Sequence, residues 1–189
     1  MDEQHGFRSR KSTVTFSLSF TSYILKSFES DCQVDAVFTD FNKAFDTVIH
    51  SRLISELDSL GIGNPLLLWL QSYLSQRMQF VKVHGVVSNL FITPSGVPQG
   101  GHLSSLLFIL FINSINRYIS ASRVLLFSDD IKIYSKITSP PDCLQLQSDL
   151  NIFSLWAQRI GLTFNLNKCH VMSFHRKRTC IIHPYSLNS

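Results

Sequence analysis

The sequence has few of the features that mark secreted or membrane proteins. It contains only four cysteines, no two of which form a CxxC pair, so we expect reduced thiols in an intracellular protein. No apolar stretch follows the first residues, which predicts that there is no signal peptide. The longest unbroken apolar run covers residues 106–112, whereas a membrane span needs about 18 residues. These absences predict a soluble protein without a membrane partner and leave the choice between nucleus and cytoplasm open.

Acidic residues are absent from one end of the chain. No Asp or Glu follows Asp149, although five basic residues lie there: Arg159, Lys168, Arg176, Lys177 and Arg178. The N-terminal region adds Arg8, Arg10 and Lys11, and the formal net charge is +4. Both ends of the chain are thus basic, and most of the acidic residues lie between them. This separation of charge suits a protein that binds both phosphate groups and cations. A solvated charged surface explains the same pattern about as well.

The rest of the composition is that of a folded globular domain. Hydrophobic residues make up 44% of the chain and charged residues 16%. Periodicity predicts helices over residues 13–28, 53–60, 65–74, 103–119 and 140–160, after a basic loop over residues 4–12. It predicts strands over residues 34–41, 80–83, 86–92, 123–127, 131–136, 163–166 and 171–174. Because strands and helices do not alternate strictly, we expect an α+β fold with an antiparallel sheet backed by helices.

Three aspartates stand at the ends of predicted strands. Asp40 ends an otherwise apolar strand face, and Asp129 and Asp130 lie between two strands. An Asp-Asp pair alone also suits an ordinary hairpin turn. If the three carboxylates converge at ~4 Å, each pair repels by roughly 4 kcal/mol at an effective dielectric of about 20, so the cluster needs cations. Oxygen ligands favour Mg²⁺ or Mn²⁺ over zinc, and two such ions are a common device for nucleotidyl transfer.

Five short segments resemble the motifs of one known family. Residues 38–48 resemble motif A, residues 95–100 motif B, residues 127–130 motif C and residues 161–168 motif D of reverse transcriptases from non-LTR (LINE-type) retrotransposons. Residues 4–8 are similar to the fingers motif that precedes motif A in that family. The five segments occur in the family's order over nearly the whole chain. The resemblance implies part of an RNA-directed DNA polymerase, made of the end of the fingers and the palm.

The resemblance also implies a metal centre. Asp40, Asp129 and Asp130 would hold two Mg²⁺ ions, which Mn²⁺ can replace. The backbone carbonyl of Phe41 would assist them, beside the incoming nucleotide. Lys168 would act as a general acid for the leaving pyrophosphate, although a lone lysine is more often a solvated surface charge.

Four further residues would contact the incoming nucleotide. Phe45 matches the steric gate that rejects a 2′-hydroxyl, although a core also needs phenylalanines. Gln99 and Gly100 match the loop that contacts the nascent base pair, although residues 95–101 also resemble an ordinary turn. Arg8 matches a fingers residue that holds the triphosphate, and a contact to the nucleic-acid backbone fits it equally well.

The motifs predict three regions and a set of partners. Residues 1–33 would form a partial fingers segment with a connecting helix, residues 34–178 the palm with motifs A to D, and residues 179–189 the truncated start of the primer-grip region. The prediction includes no thumb. The expected partners are an RNA template, a DNA primer and dNTPs, with the endonuclease and thumb of a parent polyprotein.

The chain also departs from the family pattern. Ser128 stands where motif C usually has alanine, Ser114 stands where an aspartate is usual, and residues 101–108 differ from the usual run after motif B. These departures favour an alternative, an inactive or domesticated remnant that binds only nucleic acid or protein. A group II intron maturase or a telomerase-like relative is a third hypothesis, but the form of motif B fits the retrotransposon class better.

Overall fold

The structure, a computed structural model, describes residues 3–187 apart from the side chain of His102. Its helices are α1 (Thr13–Glu29), α2 (His50–Ser59), α3 (Leu66–Leu74), α4 (His102–Ile112) and α5 (Pro140–Ile160), and a 3₁₀ turn (Asn113–Arg117) follows α4. Its strands are β1 (Gln33–Thr39), β2 (Met78–Gln79), β3 (Lys82–Val83), β4 (Val86–Val87), β5 (Phe91–Ile92), β6 (Arg123–Phe127), β7 (Asp130–Ile137) and β8 (His170–Phe174). No helix within residues 3–187 is both long enough and apolar enough to cross a membrane.

The main sheet has four strands in the order β6-β7-β1-β8, and every pairing is antiparallel. β1 lies beside β7 so that Thr39 pairs with Ile131, and it ends there, earlier than the predicted residue 41. β6 and β7 form a hairpin whose turn is Ser128-Asp129. Asp40 therefore lies one residue beyond the end of β1, at the same edge of the sheet as this turn.

Helices cover both faces of the sheet, so β1 is buried on both sides. On one face, α1 packs its predicted stripe of Phe16, Phe20 and Ile24 against the sheet. On the other face, the main core collects apolar side chains from α2 to α5, among them the fully buried Phe108 and Phe153. An antiparallel sheet with helices packed on it is the α+β fold that the sequence predicted.

The strand predicted over residues 163–166 is wrong. Only Phe164 pairs there, through a single bridge to Phe41. The chain turns immediately afterwards, because Lys168 donates its N–H to the carbonyl of Asn165. This turn leaves no room for a second ladder pair beside the end of β1.

Two other predicted elements are present with different bounds. The helix predicted to reach residue 119 ends at Ile112, because Ser114 Oγ donates to the carbonyl of Phe111 and the chain tightens into the 3₁₀ turn. The predicted hairpin around His84 and Gly85 forms, but it is divided into two short ladders, β2 with β5 and β3 with β4. Its side chains are exposed on both faces, so no core fixes longer strands.

Candidate active site

The three predicted aspartates meet at one edge of the sheet. Asp40 follows β1, Asp130 begins β7 directly after Asp129, and continuing the β1–β7 register brings Asp40 opposite Asp130. Burial raises the pKa of the Asp130 carboxyl, and the neighbouring charges of Asp129 and Asp40 raise it further. The positive charges of Lys132 and Lys168 lower the pKa of Asp130. The charges of Asp40 and Asp129 therefore both act on the Asp130 carboxyl.

Lys168 lies against the first of these aspartates. Its Nζ is 3.4 Å from Oδ2 of Asp40, a buried oxygen that accepts no hydrogen bond within the described part of the chain. The turn that carries Lys168 is tied to motif A, because Asn165 donates its N–H to the carbonyl of Asp40 at 2.8 Å. The lysine side chain is 68% exposed, so it is free to leave Asp40 when another cation binds.

The oxygen donors at this edge of the sheet are of the type that binds a hard cation, but they do not form a complete coordination site. Over residues 3–187, no group of three or more His, Cys, Asp or Glu side chains is placed so that it could hold a metal ion. Oδ2 of Asp40 accepts no hydrogen bond among the described residues, and its ion pair is with the exposed Lys168 side chain. The hydrogen bonds of the Phe41–Phe164 bridge are made by the flanking residues, so the carbonyl of Phe41 is directed away from Phe164. Oxygen donors of this kind fit Mg²⁺ or Mn²⁺.

The two phenylalanines of motif A have different surroundings. The Phe41 ring is buried and stacks on Phe164 with centroids 5.1 Å apart, so only its backbone is available to a ligand. The Phe45 ring stacks on Phe108 of α4 at 4.0 Å, and Phe7 approaches it edge-on at 6.4 Å. Phe45 is only partly buried, and it lines a cavity. Phe45 is thus both a core residue and a cavity wall, and its role as a steric gate stays a prediction.

This cavity has a volume of about 630 Å³. It is lined by Phe7, Phe45, Gln99, Gly100, Gly101, Ser105 and Leu106. Three of the residues predicted to contact a nucleotide, Phe45, Gln99 and Gly100, therefore come together around one open space. Small-molecule sites in proteins commonly measure about 300–1,000 Å³, so the cavity is large enough for a nucleotide.

Hydrogen bonds hold the motif B loop against motif A. Gln99 Nε2 donates to Oδ1 of Asp46 at 2.8 Å, and Ser95 Oγ donates to the carbonyl of Asp46, also at 2.8 Å. Gly96 has a φ of 84°, and a Cβ there would lie 2.8 Å from that same carbonyl, so the close approach requires glycine. Asp46 therefore orients Gln99. Asp46 lies within motif A, but nothing in the sequence alone indicates this contact.

The N-terminal loop makes contacts that the sequence did not predict. Gln4 and His5 are buried, and Gln4 forms a parallel bridge with Leu126 of β6. Oε1 of Gln4 also accepts a hydrogen bond from the N–H of Ser128, in the turn of motif C. Residues 4–12 form the predicted loop, without a helix or strand. The sequence did not reveal its contacts with β6 and motif C, because these bonds join residues far apart in the chain and a short polar segment has no periodicity.

Arg8 follows Phe7, which lines the cavity. Its Nη1 atom is buried and has no hydrogen-bond partner among the described residues. A buried guanidinium N–H without an acceptor is costly, so a phosphate oxygen suits it. The structure thus brings most of the predicted residues into two groups, the acidic edge with Lys168 and the cavity between motifs A and B, and Arg8 itself does not line the cavity.

Comparison with known proteins identifies the family. Residues 1–183 match the family model described as reverse transcriptase (RNA-dependent DNA polymerase). The chain is 35% identical over 175 residues to the probable RNA-directed DNA polymerase from transposon BS of Drosophila melanogaster, covering 88% of this chain and 19% of that protein. It is 27% identical over 186 residues to the RNA-directed DNA polymerase from mobile element jockey of the same species, covering 94% and 20%. The chain spans about a fifth of the length of these relatives.

Solved structures show the same fold. An apo telomerase from Candida tropicalis, truncated from its C-terminal domain, superposes with a TM-score of 0.68 at 14% identity, over 94% of this chain and 37% of that one. A telomerase from Candida albicans in complex with a TWJ fragment of telomeric RNA gives 0.64 at 14% identity, over 90% and 31%. At such identities the likeness supports the fold alone. The family model and the transposon relatives go further, and they show that the chain belongs to the reverse transcriptase (RNA-dependent DNA polymerase) family, in its non-LTR retrotransposon group.

Proposed function

We propose that this chain forms the nucleotidyl-transfer centre of an RNA-directed DNA polymerase from a non-LTR retrotransposon. The observation that carries the proposal is the meeting of Asp40, Asp129 and Asp130 at one sheet edge, where the first two both act on the charge of the third. The reaction would join a dNTP to the 3′ end of a DNA primer opposite an RNA template. Pyrophosphate would leave.

Asp40, Asp129 and Asp130, with the carbonyl of Phe41, would hold two Mg²⁺ ions, or Mn²⁺ in their place. When bound, such a pair lowers the pKa of the attacking hydroxyl and neutralises charge on the leaving pyrophosphate. Lys168 would give up its contact with Oδ2 of Asp40, and its freed ammonium group would donate a proton to the pyrophosphate. The support for this step is the exposure of the lysine side chain and the single ion pair that holds it.

The cavity residues would bind and select the nucleotide. The Phe45 ring, held in place by its stack on Phe108, would lie against the sugar and exclude a 2′-hydroxyl. Gln99, oriented by Asp46, would contact the nascent base pair beside the flexible backbone of Gly100. Arg8 would hold the triphosphate with its unpartnered Nη1.

The proposed partners are an RNA template, a DNA primer and dNTPs, together with the endonuclease and thumb of the parent polyprotein. We also propose an intracellular location. All four cysteines, Cys32, Cys143, Cys169 and Cys180, are free thiols, and free thiols suit a reducing compartment.

Single-nucleotide extension of a DNA primer on an RNA template, with Mg²⁺ or Mn²⁺, tests the proposal. We expect incorporation by the wild-type chain and background incorporation by Asp129→Asn. Asp58→Asn, an exposed acid on α2, is the matched control and should behave as wild type. Equal incorporation by wild type and Asp129→Asn contradicts the proposal. A folded wild-type chain that binds primer and template without extending the primer would instead favour the remnant that only binds nucleic acid.

A further inference from the structure

The turn that carries Asp129 has a backbone that needs support. β6 and β7 pair as far as Phe127 and Asp130, so only Ser128 and Asp129 form the turn. Ser128 has a φ of 58°, in the left-handed region that residues other than glycine rarely occupy. Such a conformation persists when surrounding contacts hold it. Contacts from outside the hairpin therefore matter for the direction in which Asp129 points.

Gln4 makes this contact. Its side chain is fully buried, and its Oε1 accepts hydrogen bonds from the N–H of Ser128 at 3.0 Å and from the N–H of Gly6 at 2.8 Å. Its Nε2 donates to Oδ1 of Asn113 at 3.3 Å. Both ends of the amide are engaged, so the side chain has one defined orientation.

The backbone around Gln4 is anchored to the strand that leads into the turn. His5 donates its N–H to the carbonyl of Leu126 at 2.8 Å, and Leu126 donates its N–H to the carbonyl of Glu3 at 2.9 Å. These two bonds add a short parallel segment to the free edge of β6. Gln4 thus keeps a constant position relative to Ser128.

Gly6 allows the segment to lie this close. A Cβ at residue 6 would stand 2.4 Å from the backbone N of Ser128 and 3.0 Å from its Cα. Gly6 is not among the glycines with positive φ, so the requirement is for space and not for an unusual backbone angle. A larger residue here must push the turn away from Gln4.

We propose that Gln4 and Gly6 are positioning residues for Asp129. Gln4 accepts the N–H of Ser128 and Gly6 leaves room for the close approach, which together set the direction of the Asp129 carboxylate relative to Asp40. The inference rests on the proposed function, in which Asp129 is a metal ligand. Because neither residue lines the cavity of Phe45 and Gln99, their loss should affect the rate of the chemical step and not the binding of the dNTP.

The test compares two buried glutamines. Gln4→Met keeps the side-chain length and removes the amide. Gln33→Met is the matched control, because Gln33 is also buried and uses both ends of its amide, towards Asp35 and Ile181. Gln33 begins β1, at the opposite end of the strand from Asp40. Ser128 amide hydrogen exchange and single-nucleotide incorporation are measured for both variants, with thermal melting as the measure of folding.

We expect Gln4→Met to lower kcat roughly 10- to 100-fold, as small misplacements of a reacting group do, with the KM for dNTP near its wild-type value. Ser128 should exchange faster in Gln4→Met and in Gly6→Ala, and at the wild-type rate in Gln33→Met. Unchanged exchange at Ser128 in Gln4→Met overturns the proposal, as does an equal loss of kcat in Gln33→Met. Hydrogen exchange needs no polymerase activity, so it shows whether Gln4 holds the turn even in an inactive chain. If the wild-type chain fails to extend a primer, that failure counts against the proposed function and not against the role of Gln4 in the turn.

Discussion

The ammonium group of Lys168 lies 3.4 Å from Oδ2 of Asp40, a buried carboxylate oxygen that accepts no hydrogen bond from residues 3–187. An ion pair with so exposed a lysine contributes at most about 1 kcal/mol. A divalent cation carries twice the charge of the ammonium group, so it interacts more strongly with the same oxygen. If a divalent cation binds here as proposed, we expect it to compete with Lys168 for Asp40.

Replacing Lys168 should separate its two roles. In Lys168→Met the general acid is lost, and we expect nucleotide incorporation to slow by at least about 100-fold. The Mg²⁺ concentration that gives half-maximal rate should fall, because the competitor for Asp40 is gone. Single-turnover incorporation over a range of Mg²⁺ concentrations measures both quantities. Lys177→Met, an exposed lysine of the same basic tail, is the control, and a wild-type rate and Mg²⁺ dependence in Lys168→Met would contradict both roles.

Shrinking Phe45 should relax the choice of sugar. Phe45→Val removes the ring that lines the cavity, so we expect a higher ratio of rNTP to dNTP incorporation. The lost stack on Phe108 should cost roughly 1 kcal/mol of stability. Phe45→Tyr keeps the ring and should keep the wild-type ratio. If Phe45→Val incorporates the two nucleotides in the wild-type ratio, Phe45 serves only the core.

Two buried serines should respond to alanine with opposite signs. Ser128 is 6% exposed and its Oγ has no hydrogen-bond partner among the described residues, so Ser128→Ala should raise the free energy of unfolding by about 1 kcal/mol. Ser114 is 5% exposed, and its Oγ accepts from Trp156 Nε1 and donates to the carbonyl of Phe111, both at 2.9 Å. Ser114→Ala should lower the free energy of unfolding by about 1–3 kcal/mol, because the indole N–H loses its acceptor. Urea unfolding of both variants checks the signs, and a destabilised Ser128→Ala would show that its hydroxyl is satisfied.

His5 should make the fold sensitive to mild acid. Burial lowers the pKa of His5 below its ordinary value of 6.5, and the positive charges of Lys11 and Arg8 lower it further. Between the folded-state pKa and 6.5 the unfolded chain binds more protons, so stability rises with pH in that window. The contribution of neutral His5 to the free energy of unfolding is complete above pH 6.5, and it is lost as the pH falls towards the pKa of His5 in the folded state.

Chemical unfolding between pH 8 and pH 5 measures this effect. His5→Gln retains a hydrogen-bonding group near Thr15, the partner of His5 Nδ1 at 2.8 Å, but it has no imidazole to protonate. We expect a smaller loss of stability on acidification in His5→Gln than in wild type. His84→Gln, at the exposed turn of the β3–β4 hairpin, is the control. Equal acid sensitivity in wild type and His5→Gln would assign the effect to other groups.

Elements with local signals were predicted well. The last long helix, α5, begins after Ser139, where Asp142 accepts the N–H of Ser139, and it ends at Gly161, whose φ is 81°. Caps and left-handed glycines depend on neighbouring residues alone, so the sequence shows them directly. The sequence also indicated where Asp40 lies relative to the Asp129-Asp130 turn, because the ends of adjacent strands fall at one sheet edge; that these residues hold a metal stays a prediction.

Elements that depend on distant partners were not predicted. Residues 163–166 have the alternation of a strand, but the strand beside them has already ended and the chain turns at Asn165. The bridge of Gln4 to β6 has no periodic pattern, because one residue pair is too short to show one. In both cases the available hydrogen-bonding edge, and not local propensity, decides the outcome.

The sequence by itself determined the fold class and the family, since the spacing of apolar residues and the order of short motifs can be read along the chain without a structure. It also indicated which aspartates, Asp40, Asp129 and Asp130, are the candidate metal ligands. Only the tertiary structure decided that Lys168 faces Asp40, that Asp46 orients Gln99, and that Gln4 supports the turn before Asp129. These contacts join segments far apart in the chain, and they exist only once the helices pack on both faces of the sheet and bring the segments together.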